Sequence, residues 1–276
     1  MTNLLQLRGL TVQYLSNSGH RQTAVQNVSF GIGLGETLGL MGESGCGKTS
    51  VAEAVLGLLP ADRTQVTGSV VFRGSDLLTL SERKLQKIRG ASISMIYQEP
   101  ELALNPVMRA GEQIAQVIHA HRRLRWAQCR SEARAMLGRV GFTEIGRIFA
   151  AFPHQLSGGQ RQRIVLAQAL ACAPALLIAD EPTAHLDVRS QSEILSLFET
   201  LKRELRIAIL LISHTPEIQA RLADRVLVMQ AGRIVDQGRF ADLDRMSESP
   251  YTRSILGSLT TPREPAEWTV EEGVAG

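Results

Sequence analysis

Residues 42–49 read Gly42-Glu43-Ser44-Gly45-Cys46-Gly47-Lys48-Thr49 and meet the pattern G-x-x-x-x-G-K-[ST] at every specified position. Before them, Glu36 to Met41 is apolar enough for a buried parallel strand; after them, Ser50 to Leu59 reads as a helix. Strand, glycine loop and helix in that order build a nest of backbone N–H groups at a helix N-terminus, where donors and dipole both favour an anion. Gly45 and Gly47 leave that approach open and can take positive φ. Lys48 then reaches β- and γ-phosphate oxygens as a point charge, and the Thr49 hydroxyl suits Mg²⁺. Alone, the stretch implies a bound nucleotide phosphate and leaves kinases, GTPases, helicases and pumps open.

The rest of the chain sets this unit in an α/β frame. Leu5 to Tyr14 alternates apolar with polar residues, with a break near Arg8-Gly9, and Val28, Phe30 and Ile32 alternate again. With Gly68 to Gly74 they predict an N-terminal antiparallel sheet, the polar loop Ser16 to His20 lying between the first two strands. Ser81 caps a short helix to Gly90, and Ser92 to Gln98 reads as a strand broken by Glu99-Pro100. Helical spacing of Ile114, Val117, Ile118 and His121, and of Ala133, Met136, Leu137 and Val140, predicts an inserted helical subdomain. A helix Arg161 to Ala171, a strand Ala175 to Asp180, a helix Val188 to Leu205, a strand Ile207 to Ile212 and a hairpin Asp224 to Asp236 follow. Strands alternating with helices predict a parallel sheet, with ligands bound at the carboxyl ends of its strands. Gln98, Asp180, Glu181 and His214 all fall at such ends.

Composition excludes little beyond membrane spans. Of 276 residues 44% are hydrophobic and 21% charged, ordinary for a soluble chain, and no run nears the ~18 apolar residues of a spanning helix. The start of the chain lacks a signal-peptide pattern, which predicts a cytoplasmic protein. Three cysteines, Cys46, Cys129 and Cys172, share no metal-ligand spacing, and a net charge of +3 does not imply nucleic acid.

Two further stretches narrow the chemistry. An acid such as Asp180 after a buried strand can hold Mg²⁺, and the next acid, Glu181, can polarise an attacking water. Leu156-Ser157-Gly158-Gly159-Gln160 opens a helix with a second anion-binding end. One nucleotide does not need two such ends, so this one is expected to face a nucleotide held by another subunit.

With these parts in this order, the chain resembles the nucleotide-binding subunit of an ABC transporter over nearly its whole length. The resemblance implies a P-loop NTPase with a RecA-like parallel core, an N-terminal antiparallel β subdomain and a helical subdomain at about 100–160. One ATPase domain would span 1–257, followed by a polar tail at 258–276. It implies that Tyr14 stacks on adenine, that Gly42 to Thr49 form the Walker A loop, and that Gln98 senses Mg²⁺ and the γ-phosphate. Ser157, Gly158, Gly159 and Gln160 would meet the nucleotide of the opposite subunit. Asp180 would be the Walker B acid, Glu181 the general base and His214 the switch histidine, with Lys48 and Gln98 assisting the reaction. Thr49, Gln98 and Asp180 would surround the metal, and Ala184-His185-Leu186-Asp187 would be the D-loop. ATP and Mg²⁺ are the implied ligands. Tyr14 as a plain strand aromatic stays open at this point.

Met95-Ile96-Tyr97-Gln98-Glu99-Pro100, Leu104-Asn105-Pro106, Pro153-His154-Gln155 and Pro250-Tyr251-Thr252 are similar to the dipeptide/oligopeptide importer branch, which includes nickel and metallophore importers. That branch implies two transmembrane permease subunits, a second and paralogous ATPase subunit, an extracytoplasmic substrate-binding protein, no nucleic acid, and a peripheral place on the cytoplasmic face of the inner membrane. A soluble ABC ATPase acting on ribosomes or DNA is the alternative. Departures are His185 in the D-loop, expected to point at solvent, and Cys46 where serine is common. The tail has no cysteine cluster, which implies no iron–sulfur cluster. The basic run from His119 to Arg125 reads as a solvated helix face rather than a lipid or partner contact.

Overall fold

The computed structural model describes residues 3–15 and 20–257; the polar loop expected at 16–20, apart from His20, and the tail at 258–276 lie outside the described residues. The chain opens with β1 (Leu5–Leu15), β2 (Arg21–Ile32), β3 (Thr37–Met41) and α1 (Lys48–Leu56). Next come β4 (Thr64–Phe72), β5 (Ser75–Asp76), α2 (Glu82–Ile88) and β6 (Ile93–Ile96). A helical stretch follows: α3 (Pro100–Ala103), α4 (Ala110–His121), α5 (Trp126–Arg139), α6 (Ile145–Ala150) and α7 (Gly158–Leu170). The chain then alternates through β7 (Leu176–Asp180), α8 (Val188–Leu205), β8 (Ala208–Ile212) and α9 (Pro216–Leu222). It closes with β9 (Arg225–Gln230), β10 (Arg233–Gly238), α10 (Phe240–Met246) and α11 (Pro250–Leu256).

Among the described residues there are two sheets. One is antiparallel, in the order β2-β1-β4-β5; the other runs β10-β9-β3-β8-β7-β6. In the second, β6, β7, β8, β3 and β9 are parallel and β10 is an antiparallel edge, so the sheet is mixed rather than all parallel. The expected break near Arg8-Gly9 is an irregularity in one continuous strand: the register shifts between Leu7 and Leu10, and Gly9 takes φ 58°.

The central strands β3, β7 and β8 are buried at every position because both faces are covered, and apolar at all but Thr37 and Asp180. Leu176, Ile178, Leu210 and Ile212 pack with α1 and the antiparallel sheet, while Leu177, Ala179, Ile209 and Leu211 pack with the helical side. Full burial of each Leu or Ile contributes roughly 1.5–3 kcal/mol, so this layer holds the strand ends in place. A third cluster, Met41, Val226, Val228, Leu243 and Leu256, seats α10 and α11 on the sheet beside the glycine loop. Neither helix is among the sequence expectations.

Three differences from the expected boundaries bear on the site. Helix α1 starts at Lys48 rather than Ser50 and stops at Leu56, where Gly57 takes a left-handed φ of 61°. Strand β6 ends at Ile96, which leaves Gln98 in the bend beyond it. Helix α7 starts at Gly158 rather than Arg161, because Ser157 and Gln160 close a capping box: Ser157 Oγ accepts from Gln160 N at 3.3 Å and Gln160 Oε1 accepts from Ser157 N at 3.0 Å.

Candidate functional site

The loop between β3 and α1 is shaped by close packing. Gly47, the N-cap of α1, has φ 107°, and a Cβ there would stand 2.3 Å from the Ala24 carbonyl of β2. Gly232, at the β9–β10 turn, donates its N–H to the Cys46 carbonyl at 3.0 Å. Lys48 is buried, and its Nζ donates to the carbonyls of Gly42 (2.7 Å) and Glu43 (2.8 Å). Its ammonium is thus parked at the loop mouth, within reach of an incoming anion. Burial pushes the Cys46 thiol up despite Lys48 beside it, which opposes the thiol-reagent sensitivity a loop cysteine suggests.

The ends of β7 and β8 supply the acids. Asp180 is buried and accepts the Thr49 hydroxyl at 2.9 Å. Burial pushes its carboxyl up, the Thr49 hydrogen bond opposes that, and the charges of Glu181 and Lys48 add smaller contributions of opposite sign. Glu181 sits at φ 47°, a left-handed conformation rare for a residue with a side chain and typical of strained functional turns. Its Oε1 accepts both the backbone N–H of His214 (2.9 Å) and a contact from His214 Nδ1 (2.6 Å), and its Oε2 accepts the Ser213 hydroxyl at 3.1 Å. Ser213 is fully buried and was not a sequence candidate.

One cavity of about 420 Å³ collects these groups. Tyr14, Ser44, Gly45, Gly47, Lys48, Thr49, Gln98, Asp180, Glu181 and His214 line it. Gln22, Ala24 and Ser50 line it too and were missed: Gln22 pairs with Tyr14 across β1–β2, and Ser50 Oγ lies 3.0 Å from the Tyr14 hydroxyl. Neither polar residue stands in a motif; only the alternation of β2 and the helix turn after Thr49 signal them. Gln98 also borders a larger groove of about 690 Å³, mainly apolar, beside Tyr97, Leu102, Val117 and Val165.

The structure does not bring every candidate to that cavity. Ser157, Gly159 and Gln160 line a separate one of about 310 Å³ with Arg163 and Glu193. Gly158 and His185 border a third, beside Glu99, Pro100 and Arg161. His185 is exposed at φ 62°, as expected of a solvent-facing ring. Asp187 caps α8 by accepting Ser190 N at 2.9 Å and Ser190 Oγ at 2.7 Å, which holds its carboxyl below the usual range. Gln162, another residue without a motif, donates from Nε2 to the Pro182 carbonyl at 2.7 Å and so ties α7 to the turn after Glu181.

The family model for ABC transporters matches residues 25–184. The dipeptide transport ATP-binding protein DppD of Bacillus subtilis (strain 168) is 42% identical over 260 residues, 94% of this chain and 77% of its own length. The oligopeptide transport ATP-binding protein OppD of Escherichia coli (strain K12) is 42% identical over 264 residues, 96% of this chain and 77% of its own. Among solved structures, a dimer of the bacterial ABC transporter cassette MJ0796 matches with TM-score 0.75 at 27% identity, covering 86% of this chain and 98% of that one. A second dimer of the same cassette, bound to ADP and Pi after hydrolysis, matches with TM-score 0.75 at 26% identity over the same shares.

Proposed function

Since this chain belongs to the ABC transporter family, we propose that it is the ATP-hydrolysing subunit of a peptide importer, dipeptides or oligopeptides being the cargo class. The observation that carries the ATPase part is the shared cavity. It sets a phosphate loop, a buried Asp180, a strained Glu181 and His214 around one space although up to 172 positions separate them. The cargo class rests on the relatives' names.

The residues fit ATP with Mg²⁺. The Thr49 hydroxyl and Asp180 carboxylate form an adjacent oxygen pair of the kind hard cations take, and burial leaves that carboxylate short of compensating charge. Mg²⁺ bound there would neutralise charge on the β- and γ-phosphates. Gln98 borders the same space. Lys48 offsets charge on the transferred phosphoryl group. Glu181 orients the attacking water and takes its proton on a carboxylate oxygen, and His214 and Ser213 hold that carboxylate. The ring of Tyr14 takes the base.

Ser157, Gly159 and Gln160 line a cavity apart from the phosphate loop, which supports a dimer in which each chain completes the other's site, as in the dimeric cassettes. Among the described residues no helix is long and apolar enough to cross a membrane, so separate permease subunits would form the path. The apolar groove beside Gln98, with Tyr97 and Leu102 exposed, offers such a subunit a seat next to a residue of the nucleotide cavity. We assign residues 1–257 to one ATPase unit with its helical part near 100–160, working at the cytoplasmic face of the membrane with a paralogous second ATPase and an external binding protein.

Co-purification from gently solubilised membranes of the native host tests this. Two permeases and a second ATPase in the complex, with phosphate release that needs Mg²⁺, are expected. Recovery with ribosomes or nucleic acid from the soluble fraction overturns the importer assignment.

A further inference from the structure

The C-terminal helix α11 lies behind the phosphate loop, and one side chain of it reaches the loop backbone. The Tyr251 hydroxyl accepts the N–H of Glu43 at 3.1 Å and directs its own proton toward the Met229 carbonyl at 3.5 Å. That N–H belongs to the same peptide unit as the Gly42 carbonyl, and the carbonyl accepts Lys48 Nζ at 2.7 Å. One rigid plane is therefore held at both ends, the ammonium on its oxygen and the phenol on its nitrogen. The next carbonyl, of Glu43, takes the same ammonium at 2.8 Å.

The plane needs such a hold because it turns on a glycine. Gly42 has φ 156°, and a Cβ there would stand 2.2 Å from the Met229 carbonyl, so no side chain can restrict it. A reversed plane would point the Glu43 N–H at the Lys48 ammonium and remove one of that ammonium's two carbonyl partners.

The clamp is itself well anchored. Tyr251 packs against the cluster of Met41, Val226, Val228, Leu243 and Leu256. Pro250 opens its helix, and Ser249 Oγ caps it by accepting Thr252 N at 3.2 Å. Burial pushes the phenol up from its usual range, so the hydroxyl stays neutral and keeps both roles.

We propose that Tyr251 is a positioning residue for the nucleotide site, its hydroxyl setting the Gly42–Glu43 peptide and, through it, the place of the Lys48 ammonium. This rests on residues 42–49 being the phosphate loop. It gives Pro250-Tyr251-Thr252, so far only a mark of likeness, a physical task, and it makes α11 part of the site although it contributes nothing to the cavity wall.

The test uses the full chain and fluorescence titration with trinitrophenyl-ATP, alongside thermal unfolding. Tyr251→Phe keeps the ring and loses the hydroxyl. Leu243→Ala loosens the same apolar cluster without touching the hydroxyl, and Lys48→Ala removes the ammonium. The expected result is a dissociation constant raised about five-fold in Tyr251→Phe, ~1 kcal/mol at 1.4 kcal/mol per decade. Leu243→Ala should unfold at lower temperature yet bind as the parent does. Parental affinity in Tyr251→Phe, or equal weakening in both variants, overturns the proposal. Parental affinity in Lys48→Ala would instead overturn the phosphate-loop assignment on which it stands.

Discussion

His214 Nδ1 stands 2.6 Å from Glu181 Oε1, the same oxygen that accepts the His214 backbone N–H at 2.9 Å. The carboxylate is thereby fixed across the end of β7, with Ser213 on its other oxygen. In the proposed function its task is to receive a proton, and none of the loop's donors depends on it. Glu181→Gln is therefore expected to keep nucleotide affinity within about two-fold while turnover of the assembled complex falls roughly 10²–10⁴-fold, the range for a lost general base. Phosphate release and nucleotide titration on the same preparation check this; parental turnover would remove Glu181 from the role.

Asp180 makes the opposite kind of prediction. Its carboxyl is pushed above the usual range chiefly by burial, so the native chain binds that proton more tightly than the unfolded one. The stability it contributes is present below the unfolded pKa and is lost as pH rises through the folded one. At neutral pH and without metal, the ionised group is a burden. Asp180→Asn should raise the unfolding midpoint in chelator by ~2–4 °C, the shift that ~1 kcal/mol gives a domain of this size. The gain should shrink at mildly acid pH, and ATP turnover should be lost. A lowered midpoint at neutral pH would show that the Thr49 bond outweighs the buried charge.

Ser157 tests the division between two chains. Its hydroxyl caps α7, and its cavity does not include the phosphate loop. Ser157→Arg should lose ~1 kcal/mol of helix capping and leave nucleotide affinity of the lone chain within about two-fold. Hydrolysis in the assembled complex should fall by about 100-fold or more, since an arginine would fill the face that the proposed dimer turns to the partner's nucleotide. Weakened binding by the lone chain would place Ser157 in its own chain's site.

Much of this was legible in local pattern. Leu176 to Ala179 and Ala208 to Ile212 are apolar throughout because both their faces are covered, and the acids and His214 follow at their ends. The glycine loop is a run of adjacent residues, so spacing reveals it; the Ser157–Gln160 cap is as local, yet the expected start of α7 at Arg161 overlooks it. What escaped has no local period. The Glu43–Tyr251 bond spans 208 positions, the Gly232–Cys46 bond joins a hairpin turn to the loop, and Gln162 reaches Pro182 from a helix that shows only an ordinary polar residue there. The apolar run through Tyr97 predicts a strand that reaches Gln98; the strand stops at Ile96, Tyr97 is exposed beyond it and Gln98 lies in a bend.

Gly39 carries a prediction about packing. A Cβ there would come 1.9 Å from Gln219 Oε1. Gln219 is fully buried and donates from Nε2 to the carbonyls of Ser213 (3.1 Å) and Leu211 (3.4 Å), propping the turn that carries His214. Gly39→Ala should destabilise by roughly 1–3 kcal/mol through overpacking. Adding Gln219→Ala should recover part of the unfolding midpoint while lowering turnover, because the prop is lost. Simple additivity of the two variants in thermal unfolding would show that they do not meet.

Tyr14 separates two uses of one side chain. Its hydroxyl lies 3.0 Å from Ser50 Oγ on α1, and its ring packs partly on the core beneath the antiparallel sheet while lining the nucleotide cavity. If the ring takes the base, Tyr14→Phe keeps the stacking face and should bind ATP within about two-fold of the parent. Tyr14→Ala should then weaken binding by about ten-fold or more, since stacking on one base is worth ~1–3 kcal/mol. If the hydroxyl bond to Ser50 is what matters, Phe and Ala lose affinity alike, and the aromatic is a brace for α1. Titration calorimetry of both variants with ATP decides between these uses, and unchanged affinity in both leaves Tyr14 as a strand aromatic only.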